Sequence, residues 1–160
     1  MQIRAARDSD HEDIWAIVEP ILREGETYAL PRDWTREAAL AWWFSAPHHC
    51  FVAEDESGTL GISFLQPNQK GGGAHVCNCG FMIAVKATGR GVARALCIHA
   101  LGTAKSQGFL AMQFNFVVSS NTRAIALWES LGFQTLTRLP KAFDHPRLGF
   151  IDALVMFKEF

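Results

Sequence analysis

A strand, a glycine turn and a helix follow one another in the middle of the chain, and this succession constrains the fold most. Residues 75–85 predict a long strand, and residues 89–107 predict a helix with Thr88 as its N-cap. Gly89 and Gly91 stand at the junction and lack a Cβ, so a ligand can approach the main chain closely. Free N–H groups and the positive end of a helix dipole meet at such a junction. The segment therefore predicts a phosphate-binding turn.

The other segments predict a mixed sheet with helices on both faces. Helices are expected from a capping box at residues 9–12, from Thr35, and from Ser120 or Asn121 through residue 131. Further strands are expected at residues 2–6, 50–54, 58–66, 110–118, 133–139 and 150–157, the last two separated by a loop that holds Pro140, His145 and Pro146. The order β-α-α-β-β-β-α-β-α-β-β predicts a mixed α/β (α+β) fold in a single domain of residues 1–160.

Charge is distributed unevenly along the chain. Residues 1–56 contain 12 acidic and 5 basic residues, a net charge of −7, whereas residues 57–128 contain no Asp or Glu and six Lys or Arg. The middle of the chain therefore suits an anion, although chance clustering and burial remain an alternative. The longest apolar runs are too short to cross a bilayer, and the N-terminus leads directly into a strand. We expect a cytoplasmic protein without nucleic-acid or membrane partners.

Two common nucleotide-binding motifs do not fit the glycine turn. A dinucleotide fold needs a third glycine where Arg94 stands, and an acidic residue about 20 positions later, which is missing. A P-loop needs Gly-Lys-Ser/Thr, which is also missing. A purely structural turn remains an alternative when the glycines are considered alone.

Two motifs together resemble the GNAT N-acetyltransferase superfamily. The first, Lys86-x-x-Gly89-x-Gly91-x-Ala93, is similar to its acetyl-CoA pyrophosphate loop, Gln/Arg-x-x-Gly-x-Gly/Ala, from which Lys86 departs. The second runs from Asn121 through Trp128 to Gly132-Phe133 and resembles the Asn-headed helix that flanks the pantetheine arm. The resemblance implies an acetyl-CoA-dependent N-acetyltransferase with about seven strands, splayed between strands 4 and 5.

The resemblance also implies which residues bind acetyl-CoA. Backbone amides should bind the pantetheine and the diphosphate, Arg90 and Arg94 should add positive charge, and Asn121 should contact the pantetheine arm. The cofactor-binding residues expected are Val85, Gly89, Arg90, Gly91, Val92, Ala93, Arg94 and Asn121.

No obvious acid or base stands in the catalytic motifs. Many relatives have a proton-donating Tyr where this chain has Trp128, whose indole N–H is not acidic enough. The only tyrosine, Tyr28, lies in the 25–32 loop, which in this family lines the acceptor pocket; it is either a proton donor or a pocket wall. A carboxylate base would have to come from Glu24, Glu26, Asp144 or Asp152. A neutral amine that is well positioned needs no dedicated base.

Asn78 and Asn115 interrupt two apolar strands that should be neighbours at the splay. The surrounding segments resemble the subgroup that acetylates azetidine-2-carboxylate and related proline analogues, in which two matching asparagines hold the acceptor. We expect them to orient the acceptor and polarise the oxyanion, since an amide cannot accept a proton. The alternative is that they only satisfy backbone groups at the splay.

Other candidates are weaker. His145 either lines the acceptor site or is an ordinary surface histidine, and one of Trp34, Trp42 and Trp43 is a candidate pocket wall. Cys77 and Cys79 lack the usual zinc spacing, so we expect no metal.

The predicted activity is acetyl transfer to a small amine, an amino acid or a proline-like secondary amine, by direct attack in a ternary complex. Peptide N-acetylation and non-catalytic coenzyme A binding remain alternatives. A homodimer is common among relatives, although no stripe of residues indicates one.

Overall fold

One seven-stranded sheet, in the order β1-β2-β3-β4-β5-β7-β6, organises the chain. The structure is a computed structural model that describes all residues 1–160. The strands are β1 Gln2–Ala5, β2 His49–Asp55, β3 Gly58–Pro67, β4 Val76–Ile83, β5 Ala111–Val118, β6 Gln134–His145 and β7 Gly149–Glu159. The helices are α1 His11–Glu24, α2 Arg36–Trp43, α3 Val92–Ser106 and α4 Thr122–Ser130. The predicted mixed fold is confirmed.

Helices cover both faces of the sheet. Phe64 of β3 packs against Trp43 of α2, with ring centroids 5.4 Å apart. Gly61 lies three residues earlier on β3 and so faces the opposite side. A Cβ at Gly61 would be 3.0 Å from the side chain of Val92, at the start of α3. Two apolar clusters are buried against the sheet, and α3 contributes to both of them, Val92 and Leu96 to the cluster of α1 and α2 and Cys97 to the other.

Strands β4 and β5 form the only parallel pair, and they stay paired for only a short distance. Each is eight residues long, yet their register contains only Val76 opposite Ala111 and Cys77 opposite Met112. Beyond this level the strands diverge, and β5 continues to pair with β7 on its other side. The predicted splay between strands 4 and 5 is therefore confirmed.

The turn after β4 differs from the prediction. Strand β4 ends at Ile83, a short 3-10 turn follows at Val85–Ala87, and α3 begins at Val92 instead of residue 89. Gly91 is the N-cap, and Thr88 does not cap the helix. The helix starts late because Gly89 and Gly91 have φ angles of 82° and 77°, which are incompatible with a right-handed helix.

Two other sequence-based expectations are wrong. Pro140 and His145 lie within β6, not in a loop, because β6 is an edge strand where a missing N–H costs no ladder hydrogen bond. The capping box at residues 9–12 does not form. Helix α1 begins at His11, and the carboxylate of Asp10 instead accepts hydrogen bonds from Arg4 and from the backbone N–H of Arg7.

Helices α2 and α4 start next to the predicted residues, and Thr35 and Asn121 are their N-caps. Thr35 accepts a hydrogen bond from the N–H of Ala38 at the start of α2. Asn121, rather than Ser120, caps α4 and accepts from the N–H of Ala124 at 3.4 Å. No helix is both long enough and apolar enough to cross a membrane.

Candidate active site

A cavity of about 660 Å³ lies where β4 and β5 diverge. Its walls come from both strands, the glycine turn, α4 and the loop between α1 and α2. Nine of the twelve predicted site residues line it: Tyr28, Asn78, Gly89, Gly91, Val92, Ala93, Arg94, Asn115 and Asn121. The structure therefore brings the predicted donor and acceptor residues to one cavity.

Unpaired backbone N–H groups are concentrated at the glycine turn. The amides of Gly89, Gly91, Val92, Ala93 and Arg94 make no hydrogen bond within the protein, and neither does that of Val85. No atom lies within 4 Å of the place where a Cβ would project from Gly89 or Gly91. An anion can therefore approach the main chain, where free donors and the helix dipole favour it. This geometry fits the diphosphate of coenzyme A.

Arg90 and Val85 differ from the other predicted cofactor residues. The N–H of Arg90 donates to Ala87 O, and its guanidinium forms an ion pair with Asp55 at 2.6 Å, away from the cavity. The side chain of Val85 is 73% exposed and does not line the cavity. Only the backbone N–H of Val85 remains available, whereas Arg90 contacts the turn between β2 and β3.

The β2–β3 turn holds the glycine loop through contacts that lie outside the cavity. The sequence does not indicate these contacts. Hydrogen bonds from Ser57 and then from Arg90 lower the pKa of Asp55 to about 2, so its carboxylate is ionised at neutral pH. The Nζ of Lys86 donates to Ser57 O at 2.9 Å. Lys86 and Arg90 are therefore both held by the β2–β3 turn, whereas Arg94, in the first turn of α3, lines the cavity.

Asn78 and Asn115 belong to a group of hydrogen-bonded amides where β4 and β5 diverge. Asn78 Nδ2 donates to the backbone carbonyl of Gln113 at 2.8 Å, so part of the alternative interpretation holds for it. Its Oδ1 has no partner within the protein. Asn115 Oδ1 accepts from Gln113 Nε2 at 2.9 Å, and Asn115 Nδ2 donates to Asn68 Oδ1 at 2.7 Å. No motif in the sequence marks Gln113 or Asn68.

Tyr28 fastens the α1–α2 loop to β4. Its hydroxyl donates to Phe81 O at 2.6 Å and accepts from Phe81 N at 2.8 Å. Phe81 lies above the last β4–β5 pair, so β5 does not take up these backbone groups. Burial raises the pKa of Tyr28 well above its usual value. The geometry favours the role of a pocket wall over that of a proton donor.

His145 lies outside the cavity. Its side chain is 4% exposed, and its Nδ1 accepts from the backbone N–H groups of Arg147 and Leu148, both at 3.2 Å. The acceptor role predicted for His145 does not fit this position, because its Nδ1 stabilises the turn that joins β6 to β7 and its side chain does not line the cavity. Trp42, in contrast, does line the cavity, while Trp34 and Trp43 do not.

No carboxylate and no imidazole line the cavity. Glu26 is instead paired with Arg147 at 2.8 Å, and Asp152 with Arg138 at 3.0 Å. Cys79 does line the cavity, but burial raises the pKa of its thiol well above the usual value. Trp128 is another buried wall and packs against Phe81 with ring centroids 5.0 Å apart. No three His, Cys, Asp or Glu residues are grouped so that they could hold a metal.

A splayed sheet with an anion-binding turn at one side of the opening and amides at the other defines an acyl-transfer site. The model of the acetyltransferase (GNAT) family matches residues 14–133. The N-acetyltransferase aca1 of Schizosaccharomyces pombe is 30% identical over 151 residues, which cover 82% of this chain and 71% of that protein. The chain belongs to the GNAT acetyltransferase family and is an acetyl-CoA-dependent N-acetyltransferase.

Solved structures agree with this assignment. A GCN5-related N-acetyltransferase from Kribbella flavida is 41% identical, with a TM-score of 0.95 over 99% of this chain and 97% of that one. A phosphinothricin acetyltransferase from Sinorhizobium meliloti, solved in complex with acetyl-CoA, is 20% identical, with a TM-score of 0.86 over 99% of this chain and 88% of that one. At that identity, the second likeness concerns the fold alone.

Proposed function

We propose that this N-acetyltransferase transfers the acetyl group of acetyl-CoA to the amine of a small molecule, an amino acid or a proline-like secondary amine. The observation that carries the proposal is the single cavity that joins the glycine turn to Asn78 and Asn115. A thioester whose diphosphate binds the free amides of the turn can extend along β4 and reach the splay. The acceptor amine then attacks the acetyl carbon directly in a ternary complex, the C–S bond breaks, and coenzyme A leaves as its thiol after water carries the proton from the amine nitrogen to the sulfur.

The position of the α1–α2 loop over the cavity favours a small molecule over a peptide. Thr27, Tyr28 and Leu30 of the α1–α2 loop line the cavity, and the two hydrogen bonds of Tyr28 to Phe81 hold this loop against β4. The ion pair of Glu26 with Arg147 joins the same loop to the β6–β7 turn. A peptide would need an open groove where these segments meet.

The acceptor amine must arrive in its neutral form, because no side chain in the cavity can act as a base near neutral pH. An amine of pKa about 10 is roughly 0.1% neutral at pH 7, a cost of about 4 kcal/mol. An apolar cavity disfavours the ammonium form and so reduces this cost. Positioning of the free amine against the thioester supplies the remaining acceleration.

We assign a separate role to each part of the site. We assign the diphosphate and pantetheine to the amides of Val85 and of residues 89 and 91–93, and to Asn121, whose Oδ1 caps α4 while its NH2 group remains free. Arg94 adds positive charge at this end. Asn78 presents an unpaired Oδ1 to the acceptor, and Asn115 presents an N–H to the developing oxyanion.

The test is acetyl transfer, measured as thiol release, with a panel of azetidine-2-carboxylate, proline, primary amino acids and short peptides. We expect turnover with the small amines and none with the peptides. Asn115→Ala should lower kcat for the small amine at least tenfold and leave coenzyme A affinity nearly intact, whereas Gln107→Ala, an exposed amide beyond α3, should change neither. Activity with peptides only, or coenzyme A binding without any turnover, would refute the proposal.

The azetidine-2-carboxylate subgroup, the cytoplasmic location and the homodimer stay predictions. The amine panel tests the first, and sedimentation of the purified chain tests the last.

A further inference from the structure

Asn68 reaches Asn115 from a segment that no motif marks. It follows the last residue of β3, Pro67, while Asn115 belongs to β5, and β4 lies between these strands in the sheet. The side chain of Asn115 nevertheless donates from Nδ2 to Asn68 Oδ1 at 2.7 Å. The backbone of Asn68 is held as well, since its N–H donates to Val76 O at 2.8 Å. Asn68 therefore offers an acceptor from a fixed position.

A second side chain engages the other end of the Asn115 amide. Gln113 Nε2 donates to Asn115 Oδ1 at 2.9 Å, so both Oδ1 and Nδ2 of Asn115 have a partner. Asn115 is an exposed residue, and an exposed amide without partners rotates freely about its last side-chain bond. Two hydrogen bonds at opposite ends fix which edge of the amide carries the donor. One N–H of Nδ2 and one lone pair of Oδ1 remain for a ligand.

We propose that Asn68 is a positioning residue for acetyl transfer, acting through Asn115. The inference rests on the proposed role of Asn115 and adds the residue that sets its direction. Asn68 does not line the cavity, so we assign it no direct contact with either substrate. Its effect is to hold the remaining N–H of Asn115 at one orientation, because preorganised donors stabilise a developing oxyanion better than donors that must reorient.

The experiment compares three variants of Asn68. Asn68→Ala removes the oxygen that accepts from Asn115, and Asn68→Ser places its oxygen on a shorter side chain that does not reach Asn115. Asn68→Asp retains an acceptor oxygen at the same place. Gln69→Ala is the matched control, because Gln69 is the exposed neighbour in the same segment and makes no hydrogen bond to Asn115. Acceptor kcat/KM, KM for acetyl-CoA and the melting temperature are measured for each variant. The side-chain NH2 signals of Asn115 are followed by NMR in the protein without substrates and are assigned by their loss in Asn115→Ala.

Asn68→Ala and Asn68→Ser should each lower acceptor kcat/KM about tenfold, with KM for acetyl-CoA and the melting temperature nearly unchanged. Asn68→Asp should retain most of the activity, since a carboxylate oxygen still accepts from Nδ2. The Asn115 NH2 signals should move in the Ala and Ser variants and stay in Gln69→Ala. In the Asn115→Ala background, Asn68→Ala should change kcat/KM less than about twofold, because the two residues act as one unit.

Three results would overturn the inference. The first is that the Asn115 NH2 signals do not move in Asn68→Ala or Asn68→Ser, and the second is that kcat/KM is unchanged in both variants. The third is that Asn68→Ala lowers kcat/KM in the Asn115→Ala background as much as it does in the parent. If the parent acetylates no small amine, the proposed function fails. The NMR comparison is made without substrate, so it still decides whether Asn68 holds Asn115.

Discussion

Gly80 lets an aromatic ring lie against β4 at the acceptor end of the cavity. A Cβ on Gly80 would be 2.4 Å from Cε1 and 2.9 Å from Cζ of Phe64. The ring would have to move by about 1 Å to reach the 3.4 Å at which ordinary contact begins. It has little room, because Phe64 is 5% exposed, stacks on His48 at 4.6 Å and contacts the edges of Trp42 and Trp43, each at 5.4 Å.

We therefore expect Gly80→Ala to destabilise the protein by about 1–3 kcal/mol, the usual cost of adding a methyl group to a filled core. For a domain of this size that corresponds to a melting temperature lower by about 2–12 °C. Phe64 and Gly80 both line the cavity, so acceptor kcat/KM should fall as well, while KM for acetyl-CoA should change little. Urea unfolding followed by tryptophan fluorescence measures the first effect, and thiol release measures the second.

Two further variants separate the ring contact from a general effect of replacing glycine. Gly102→Ala, inside α3 with no atom within 4 Å of its added Cβ, should stabilise the protein by about 0.5–1 kcal/mol. Adding Phe64→Leu to Gly80→Ala should cost less than Phe64→Leu does alone, because the smaller side chain relieves the contact. Full stability of Gly80→Ala, or strict additivity with Phe64→Leu, would refute the argument.

Three other outcomes follow from the site and the core. Acceptor kcat/KM should rise about tenfold per pH unit between about pH 6.5 and 9, because the amine itself is the group that titrates; a plateau near neutral pH would reveal a base. Tyr28→Phe should leave this pH profile unchanged and should cost about 1–3 kcal/mol of stability, because the N–H and C=O of Phe81 lose their partner. If kcat/KM of the parent instead fell at high pH and this fall disappeared in Tyr28→Phe, Tyr28 would be a proton donor. Asp10→Asn should cost about 1.5–3 kcal/mol at pH 7 in urea unfolding, because it weakens the charge-assisted hydrogen bonds that Arg4 donates to the buried Asp10 carboxylate and that lower the pKa of this carboxyl. That stability is present above about pH 4 and is lost as pH falls through the lowered pKa, so parent and variant should converge in acid.

Local pattern predicted the parts of the site that depend on neighbouring residues. Gly91 directly precedes the helix that it caps, and Asn121 directly precedes α4. The sequence shows such features, because the interacting groups are only a few residues apart. The splay between β4 and β5 was expected from family resemblance, and the structure confirms it. The start of α3 was placed too early, because propensity does not show that Gly91 adopts a positive φ.

Contacts between distant residues decided the rest. Asp55 takes Arg90 away from the cavity across 35 positions of the chain, and Asn68 reaches Asn115 across 47. For His145 the cause is local instead, since its imidazole accepts hydrogen bonds from the N–H groups of Arg147 and Leu148, only two and three residues further along the chain. In the two long-range cases the residue type was visible in the sequence and its partner was not.

The sequence by itself determined that this chain forms a mixed sheet with an anion-binding turn, because backbone geometry and helix ends depend on residues that are close together. Tertiary structure alone decided which side chains line the cavity and which ones are bonded elsewhere. A hydrogen bond or an ion pair forms only when the fold brings its two ends within about 3 Å, and for Asp55, Asn68 and Tyr28 that approach depends on how the strands and loops pack.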